Sequence, residues 1–271
     1  MADADLAPVY SDGEAYERFN GKWSRVSGRD FIEWLSIPDD LRWLDVGCGT
    51  GALCEVILDR CAPKEYVGVD VAEAQLAFAH SRHSGTKARF QPDDALALSF
   101  RENEFDAAVS AYVINFFPEP RKMIAEMKRV VRPSGTVAAC TWDFAGNRPV
   151  AQHISTAMSA RKPVALKRAD SVQQAGSTRP EAMEQIFCDV GLEGVRTISI
   201  DTLVTYRDFD DYWISNTAFK STLSNYVNEL TAEDRERFKA EVKALVPIAA
   251  DGSIQYTVGT IAARGLVPKS Q

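Results

Sequence analysis

Two kinds of apolar pattern alternate along the first half of the chain. Short, nearly continuous apolar runs, typical of strands buried on both faces, occur at residues 41–46 and 66–69. Each run is followed by a stretch with apolar residues at helical spacing, at 52–59 and 73–83. Strands that alternate with helices in this way predict a parallel sheet with right-handed crossover connections.

The same patterns occur in the rest of the chain. Residues 14–35 also have helical spacing, and Gly21, Ser27 and Gly28 predict a break into two shorter helices. Residues 144–177 lack a strand pattern, whereas residues 207–249 are helical and rich in aromatic side chains. The remaining predicted elements are strands at 89–92, 104–110, 136–142, 195–206 and 254–263, and helices at 121–131 and 180–189.

A glycine-rich turn joins the first predicted strand to the helix that follows it. Gly47, Gly49 and Gly51 allow backbone N–H groups to approach a ligand closely, at the strand end where open parallel sheets bind ligands. Asp70 ends the second strand, where a carboxylate can accept hydrogen bonds from a ribose diol. The stretch therefore predicts a binding site for a nucleoside.

Two details of this turn distinguish between nucleoside cofactors. Gly47, Gly49 and Ala52 satisfy the loose dinucleotide fingerprint G-x-G-x-x-G/A, which is a weak signal alone. However, Asp45 precedes the turn and Gly51 extends it, which gives the pattern D-x-G-x-G-x-G. A carboxylate beside the turn suits a ligand with an ammonium and a sulfonium group better than it suits a pyrophosphate.

The run Leu-Asp-Val-Gly-Cys-Gly-Thr-Gly at residues 44–51 resembles the first motif of the class I S-adenosylmethionine-dependent methyltransferases. The similarity is greatest to the small-molecule branch that includes ubiquinone and menaquinone C-methyltransferases, and residues 93–100 and 126–135 resemble further segments of it. The resemblance implies methyl transfer from S-adenosyl-L-methionine to a small molecule, with S-adenosyl-L-homocysteine as product. The alternatives are an NAD(P)-dependent reductase on a related fold, a protein or nucleic-acid methyltransferase, and a non-catalytic cofactor-binding protein.

The resemblance also implies the fold, an α/β Rossmann-like architecture with a seven-stranded, mostly parallel sheet, helices on both faces and a helical lid. The last two strands would form a hairpin edge, with one strand antiparallel to the sheet. The implied segments are an N-terminal lid (1–36), a cofactor-binding core (37–143), a first insertion (144–177), a core helix and strand (178–206), a second helical insertion (207–250) and a final strand with the tail (251–271).

Matching residues of the family motifs imply roles in cofactor binding. Asp70 would bind the ribose, Asp94 the adenine amino group, and the Ala95 N–H an adenine ring nitrogen. Tyr16 and Arg25 would reach the methionine carboxylate or the acceptor, unless the tyrosine packs on the sheet and the arginine lies in solvent. The full set implied for the cofactor is Asp45, Gly47, Cys48, Gly49, Asp70, Val71, Gln75, Asp94, Ala95, Ser110, Tyr16 and Arg25.

Methyl transfer is an in-line displacement, so a protein accelerates it chiefly by aligning donor and acceptor and by excluding water. Alignment can remove about 7–11 kcal/mol from a barrier, so no dedicated catalytic side chain is required. A base is needed only when the acceptor must lose a proton, and His153 and Asp143 are the candidates for that role. His80 and His83 lack accompanying metal ligands, so we expect a solvated helix end there and no metal site.

Composition narrows the class of partner. The 271 residues carry a formal net charge of −7, which disfavours a nucleic-acid-binding surface. The sequence has no membrane-spanning apolar run and no signal-peptide pattern, so we expect no membrane partner. Five cysteines without a C-x-x-C pair indicate free thiols in a reducing cytoplasm. The expected partner is a small, flat or greasy methyl acceptor, and both a monomer and a homodimer remain open.

Overall fold

Seven strands form one sheet in the computed structural model, which describes residues 22–143, 149–161, 179–217 and 222–269. The strands are β1 (Arg42–Val46), β2 (Glu65–Asp70), β3 (Ala88–Pro92), β4 (Phe105–Ala111), β5 (Val131–Trp142), β6 (Glu193–Tyr206) and β7 (Ile254–Leu266). The helices of this part of the chain are α1 (Lys22–Leu35), α2 (Ala52–Arg60), α3 (Glu73–Arg82), α4 (Pro120–Val130), α5 (Pro149–Arg161), α6 (Pro180–Asp189), α7 (Phe209–Thr217), α8 (Thr222–Glu229) and α9 (Ala232–Leu245).

The sheet has the strand order β3-β2-β1-β4-β5-β7-β6. Strands β1 to β5 are parallel, whereas β7 is antiparallel to both of its neighbours, β5 and β6. This arrangement confirms the predicted seven-stranded, mostly parallel sheet and its hairpin edge. Because the connections run in opposite directions from the β1–β4 boundary, a crevice opens at the carboxyl ends of these two strands, which is where such sheets bind ligands.

Two buried clusters cover the two faces of the sheet. Trp43 and Leu44 are successive residues of β1 and both are fully buried, but each belongs to a different cluster. Successive side chains of a strand point to opposite faces, so β1 is covered on both sides. Phe31 of α1 packs in the Trp43 cluster and Met123 of α4 packs in the Leu44 cluster. Burial on both faces explains why the central strands are nearly continuous apolar runs.

Helix α1 is continuous through Ser27 and Gly28, so the break that the sequence predicts at these two residues is wrong. Ser27 Oγ donates a 2.8 Å hydrogen bond to the Trp23 carbonyl one turn earlier, which keeps its polar side chain within the helix. Gly28 is needed for packing, since a Cβ built there would lie 3.1 Å from Leu53 Cδ1. The missing side chain lets α1 pack closely against α2 and does not interrupt the helix.

Helices α7, α8 and α9 lie between β6 and β7 in the chain. Their aromatic side chains pack in the same cluster as α1 and the Trp43 face of the sheet, as Tyr212 and Phe238 illustrate with no exposed surface. Within the described ranges, every helix is too short or too polar to cross a membrane. The five cysteines are all free, as predicted, and only Cys188 is exposed.

Candidate functional site

The glycine-rich turn lies at the carboxyl end of β1, beside β2. The N–H groups of Gly47 and Cys48 both donate to the Val69 carbonyl, at 2.7 and 2.9 Å, which fixes the turn against β2. Gly47 and Gly51 have φ of +76° and +78°, a region that disfavours side chains. A Cβ at Gly47 would lie 2.5 Å from Val113 Cγ2, so the turn has its shape only because this residue is glycine.

Asp70 links the end of β2 to the turn. Its Oδ2 accepts a hydrogen bond from Gly49 N and its Oδ1 accepts one from Ala72 N, both at 2.9 Å. Burial raises the pKa of this carboxyl, although the backbone hydrogen bonds oppose the shift. Each carboxylate oxygen retains acceptor capacity beyond its one amide partner. Asp70 can therefore hold the turn and accept hydrogen bonds from a diol at the same time.

Two residues that follow Asp70 differ sharply in exposure. Val71 is 61% exposed, an unusual exposure for a valine at the end of a buried strand. Gln75 is only 2% exposed, and its Oε1 would lie 3.3 Å from a Cβ at Gly49. Val71 thus presents an apolar surface outside the turn, while Gln75 packs against the turn from α3.

Asp45 lies beneath the turn and is 1% exposed. Tyr66 Oη donates a 2.6 Å hydrogen bond to Asp45 Oδ2. Burial raises the pKa of Asp45 to about 7, and the Tyr66 hydrogen bond and the charge of Asp70 are the smaller contributions. Tyr66 therefore holds the buried Asp45 side chain in place, and the sequence gives no indication of this tyrosine partner.

Cys48 and His83 support the turn from below. A Cβ at Gly68 would lie 2.9 Å from Cys48 Sγ, so the thiol fills the space that this glycine of β2 leaves. Burial raises the pKa of the Cys48 thiol well above its usual range, which makes it a packing group and a poor nucleophile. His83 is 7% exposed, and its Nε2 forms a 3.1 Å hydrogen bond with the Gly51 carbonyl.

The expectation of a solvated helix end is therefore wrong for His83, whereas His80 is exposed. Burial lowers the pKa of His83, so the neutral imidazole donates to the turn. The spacing of Leu76, Ala79 and His83 places the histidine on the buried face of α3, a signal that the sequence does contain. Among the residues that the structure describes, no group of histidine, cysteine and carboxylate side chains could hold a metal ion.

The loop after β3 is joined to the Asp70 end of β2. Asp93 N donates to the Asp70 carbonyl at 3.2 Å, and the Asp93 carboxylate accepts hydrogen bonds from Ser99 N and Ser99 Oγ, at 3.1 and 2.8 Å. Asp93 therefore caps this turn. Asp94 is exposed, with Oδ1 bonded to Leu96 N at 2.9 Å, and Ala95 is buried beside it. The loop brings Asp94 and Ala95 to the same edge of the sheet as the glycine turn.

The carboxyl end of β4 completes the crevice. Ser110 is fully buried, and its Oγ donates a 2.7 Å hydrogen bond to the Val46 carbonyl, so it ties β4 to β1. Tyr112 has a φ of +65°, a genuine outlier for a bulky residue. Its ring stacks on Trp142 at 4.0 Å between centroids, and its hydroxyl bonds to Ser27 of α1. The strained Tyr112 backbone thus joins the sheet to α1, a feature that the sequence analysis does not predict.

The remaining predicted site residues lie around this crevice. Arg25 Nε is 3.8 Å from Glu55 Oε2 in the first turn of α2, directly after the glycine turn. Asp143 N donates to the Gly259 carbonyl at 2.9 Å, at the end of β5. His153 of α5 has its ring 6.0 Å from that of Tyr256, and burial lowers its pKa. Tyr16 lies outside the described residues.

Residues 44–139 match a family model described as a methyltransferase domain. A demethylmenaquinone methyltransferase of Thermus thermophilus is 34% identical over 119 residues, which cover 37% of this chain and 54% of that protein. A 2-phytyl-1,4-naphtoquinone methyltransferase of Synechocystis is 30% identical over 154 residues, 53% of this chain and 62% of that protein. The matched part of this chain thus spans somewhat more than half the length of these curated relatives.

Solved structures share the fold at low sequence identity. A phosphoethanolamine N-methyltransferase of Haemonchus contortus, solved with phosphomonomethylethanolamine and S-adenosylhomocysteine, superposes with a TM-score of 0.60 at 16% identity. The superposition covers 95% of this chain and 57% of that one. At this identity the comparison supports the Rossmann-like fold alone. The family match and the fold fall on the same β1–β5 region that contains the glycine turn.

Proposed function

Since the chain carries a class I S-adenosylmethionine-dependent methyltransferase domain, we propose that it transfers a methyl group from this cofactor to a small-molecule acceptor. The observation that carries the proposal is the geometry at the carboxyl end of β2. There the Asp70 carboxylate accepts from the Gly49 amide, and the neighbouring Val71 side chain is 61% exposed. A ribose acceptor and an apolar surface for adenine thus stand side by side.

The residues at this edge fit the cofactor chemically. Asp70 would bind the ribose hydroxyls, and Val71 would pack on the adenine that Asp94 and Ala95 reach from the next loop. The backbone of the glycine turn would face the methionine portion. When bound, the cofactor supplies a methyl group on a positively charged sulfur. When ionised, the carboxyl groups of Asp45 and Asp70 would favour that cation over the pyrophosphate of NAD(P), which disfavours the reductase alternative.

Position supports the proposed roles of Gln75 and Arg25. Gln75 supports the turn from α3 and is assigned to the methionine end of the site. Arg25 pairs with Glu55 in the turn of helix that follows the glycines, so it would have to exchange this partner to bind the methionine carboxylate. Tyr16 is assigned to the lid on the family resemblance alone. Ser110 and Cys48 act by holding the walls of the site through buried contacts.

The acceptor would lie between β4, β5 and the helices after them. Aromatic rings dominate this region, and Tyr112 and Trp142 already stack on each other there. We infer a flat, largely apolar acceptor, in keeping with the demethylmenaquinone and the 2-phytyl-1,4-naphtoquinone in the names of two relatives. The chain's own contribution to the reaction is to align the two reactants and to exclude water. The acidic net charge and the free thiols support a cytoplasmic enzyme that does not act on nucleic acid.

The decisive test separates cofactor binding from methyl transfer. Isothermal titration of the full chain with S-adenosylhomocysteine and, separately, with NADH should give saturable heat only with the former. Incubation with S-adenosylmethionine and a panel of reduced quinones, phenols and amines, followed by mass spectrometry, should then give a product 14 mass units heavier. If folded protein binds NADH and not S-adenosylhomocysteine, the proposal is wrong.

His153 is the proposed base for an acceptor that must lose a proton. Its lowered pKa keeps the imidazole neutral and able to accept a proton near pH 7. His153→Gln should lower kcat for a phenolic acceptor and remove the acidic limb of the pH–rate profile, with unchanged affinity for S-adenosylhomocysteine. Asp143→Asn tests the alternative base in the same assay. An unchanged pH profile in both variants would show that alignment alone suffices.

A further inference from the structure

A cavity of about 400 Å³ lies at the edge of the sheet opposite the glycine turn. It is formed where α1 ends, where β5 and β6 begin and where β7 ends. The residues that matter for its chemistry are Ser36, Ser134, Thr136, Arg196 and Arg264. The methyl-transfer site is built on the carboxyl ends of β1, β2 and β4, so this cavity is separate from it.

Two positive charges face each other in this cavity. Arg196 of β6 and Arg264 of β7 are direct partners in the antiparallel register. Directly opposite side chains have Cβ atoms about 5 Å apart on one face, and like charges in this position destabilise a sheet. In a chain with a formal net charge of −7, a pair of adjacent guanidinium groups in a concave site requires an explanation.

Nothing in the described part of the chain neutralises the pair. Arg264 donates to the Leu35 carbonyl at the end of α1, and its guanidinium lies 5.6 Å from the Trp34 ring centroid. Arg196 is exposed and has no carboxylate partner in that same part. Arg132, at the start of β5, differs because its Nε lies 2.5 Å from Asp106 Oδ1.

The wall of the cavity adds neutral hydrogen-bond donors to this charge. Ser134 is exposed, and Thr136 is partly exposed, so both hydroxyls are accessible from the cavity. Hydroxyls together with a rigid guanidinium fork match the oxygens of a phosphate or carboxylate group, which an arginine binds in a bidentate manner. Glu193 of β6 pairs with Leu266 of β7, beyond a register shift that separates it from the arginine pair. It does not line the cavity.

We infer that this cavity binds a small oxyanion ligand, whose phosphate or carboxylate group bridges Arg196 and Arg264. The ligand relieves the repulsion between the two guanidinium groups, and the Ser134 and Thr136 hydroxyls complete its coordination. A volume of about 400 Å³ admits a molecule of metabolite size. The site is independent of the cofactor, since its residues come from other strand ends.

Titration of the full chain with inorganic pyrophosphate and with citrate, each at constant ionic strength, tests the inference. Saturable binding of about one anion per chain is expected, and the anion that binds more tightly identifies the phosphate or the carboxylate as the preferred group. Arg196→Gln should weaken that binding by about tenfold, because one bidentate charged contact is lost. Arg121→Gln, which removes an arginine paired with Asp189 on another surface, should leave it unchanged.

Thr136→Val is a second variant that retains both charges, and it should weaken binding by a smaller factor. Thermal unfolding and S-adenosylhomocysteine titration of every variant check folding and the methyl-transfer site independently. Heats that do not saturate with either anion, or that are identical in the wild type and Arg196→Gln, would overturn the inference. Neither outcome would affect the proposed methyltransferase function.

Discussion

The carboxyl ends of β1 and β2 form the proposed cofactor edge of the sheet. This edge and the helices over β6 and β7, which are α7, α8 and α9, are held together by different interactions. At the cofactor edge, backbone amides have fixed partners, such as Gly49 N on the Asp70 carboxylate at 2.9 Å. Over β6 and β7, rings pack on rings, as in the Tyr206–Tyr212 and Trp213–Phe238 pairs at 5.3 and 5.9 Å. A left-handed turn in close contact with its neighbours and a carboxylate that accepts backbone hydrogen bonds restrict the residue type, whereas ring packing accepts many types. The first region therefore has a sequence motif and the second does not.

Substitution of Gly47 should break the cofactor edge most severely. Gly47→Ala places a Cβ 2.5 Å from Val113 Cγ2 at a φ of +76°. We expect S-adenosylhomocysteine affinity to fall by about 100-fold, since a penalty of about 3 kcal/mol must be met to keep the turn. Isothermal titration measures the loss. Gly85→Ala is the matched control, because its φ of +83° gives the same strain with no atom within 4 Å.

If both glycine variants bind equally well, the turn at Gly47 does not contact the cofactor. If both lose affinity, backbone strain and not the contact with Val113 is responsible.

Substitution of Asp70 should have the next largest effect. Asp70→Asn keeps the side-chain shape but replaces one acceptor oxygen and removes the charge near the ribose site. Affinity should fall by about 1–3 kcal/mol, or roughly 5- to 150-fold, as expected for the loss of hydrogen bonds to a charged group. Titration with S-adenosylhomocysteine measures it. Asp39→Asn, an exposed carboxylate before β1, is the control and should change nothing.

The Gly47 and Asp70 substitutions test residues that the sequence analysis singled out. The turn formed by Gly47, Gly49 and Asp70 was predictable, because a left-handed backbone favours glycine and the carboxylate accepts from the Gly49 amide, and the binding of a nucleoside there stays a prediction. The packing role of Gly28 could not be predicted, because the sequence does not show which surface lies opposite a helix. The burial of His83 could have been predicted, because Leu76, Ala79 and His83 have the spacing of one helix face. Tyr112 could not be found either, because its unusual backbone depends on contacts with Ser27 and Trp142, both distant in the chain.

The pH dependence of binding tests Asp45 and is expected to be a smaller effect. Its pKa rises from 3.8 to about 7 on folding, so the folded chain holds an extra proton between these values. The stability from this group is complete below pH 3.8 and is lost as pH rises through 7. Ionisation above pH 7 should in turn favour the sulfonium of S-adenosylmethionine.

Affinity for S-adenosylmethionine should therefore fall about three- to tenfold between pH 8 and pH 6, and affinity for the uncharged thioether product should fall less. Asp45→Asn should flatten the difference between the two ligands, because its amide does not titrate. Calorimetry of both ligands over this range provides the measurement. Parallel pH profiles in the wild-type chain would show that Asp45 is not coupled to the sulfonium.

Removal of one buried hydroxyl should have the smallest effect on cofactor binding. Tyr112→Phe removes the bonds to Ser27 and Thr260, and Tyr66→Phe removes the bond to Asp45. Each change should cost about 1–2 kcal/mol in unfolding free energy by chemical denaturation. Only Tyr66→Phe should alter S-adenosylmethionine affinity, since it raises the pKa of Asp45 further. If Tyr112→Phe altered this affinity and Tyr66→Phe did not, the cofactor would lie against Tyr112 at the end of β4 and not beside Asp45.

The distribution of the thiols has a practical consequence. Cys48, Cys54, Cys61 and Cys140 are buried, and Cys188 near the end of α6 is the exposed one. A maleimide dye should therefore attach at a single position in the native protein, without any engineered cysteine. Because α6 packs on the sheet face opposite α1, such a dye would label the protein away from that helix.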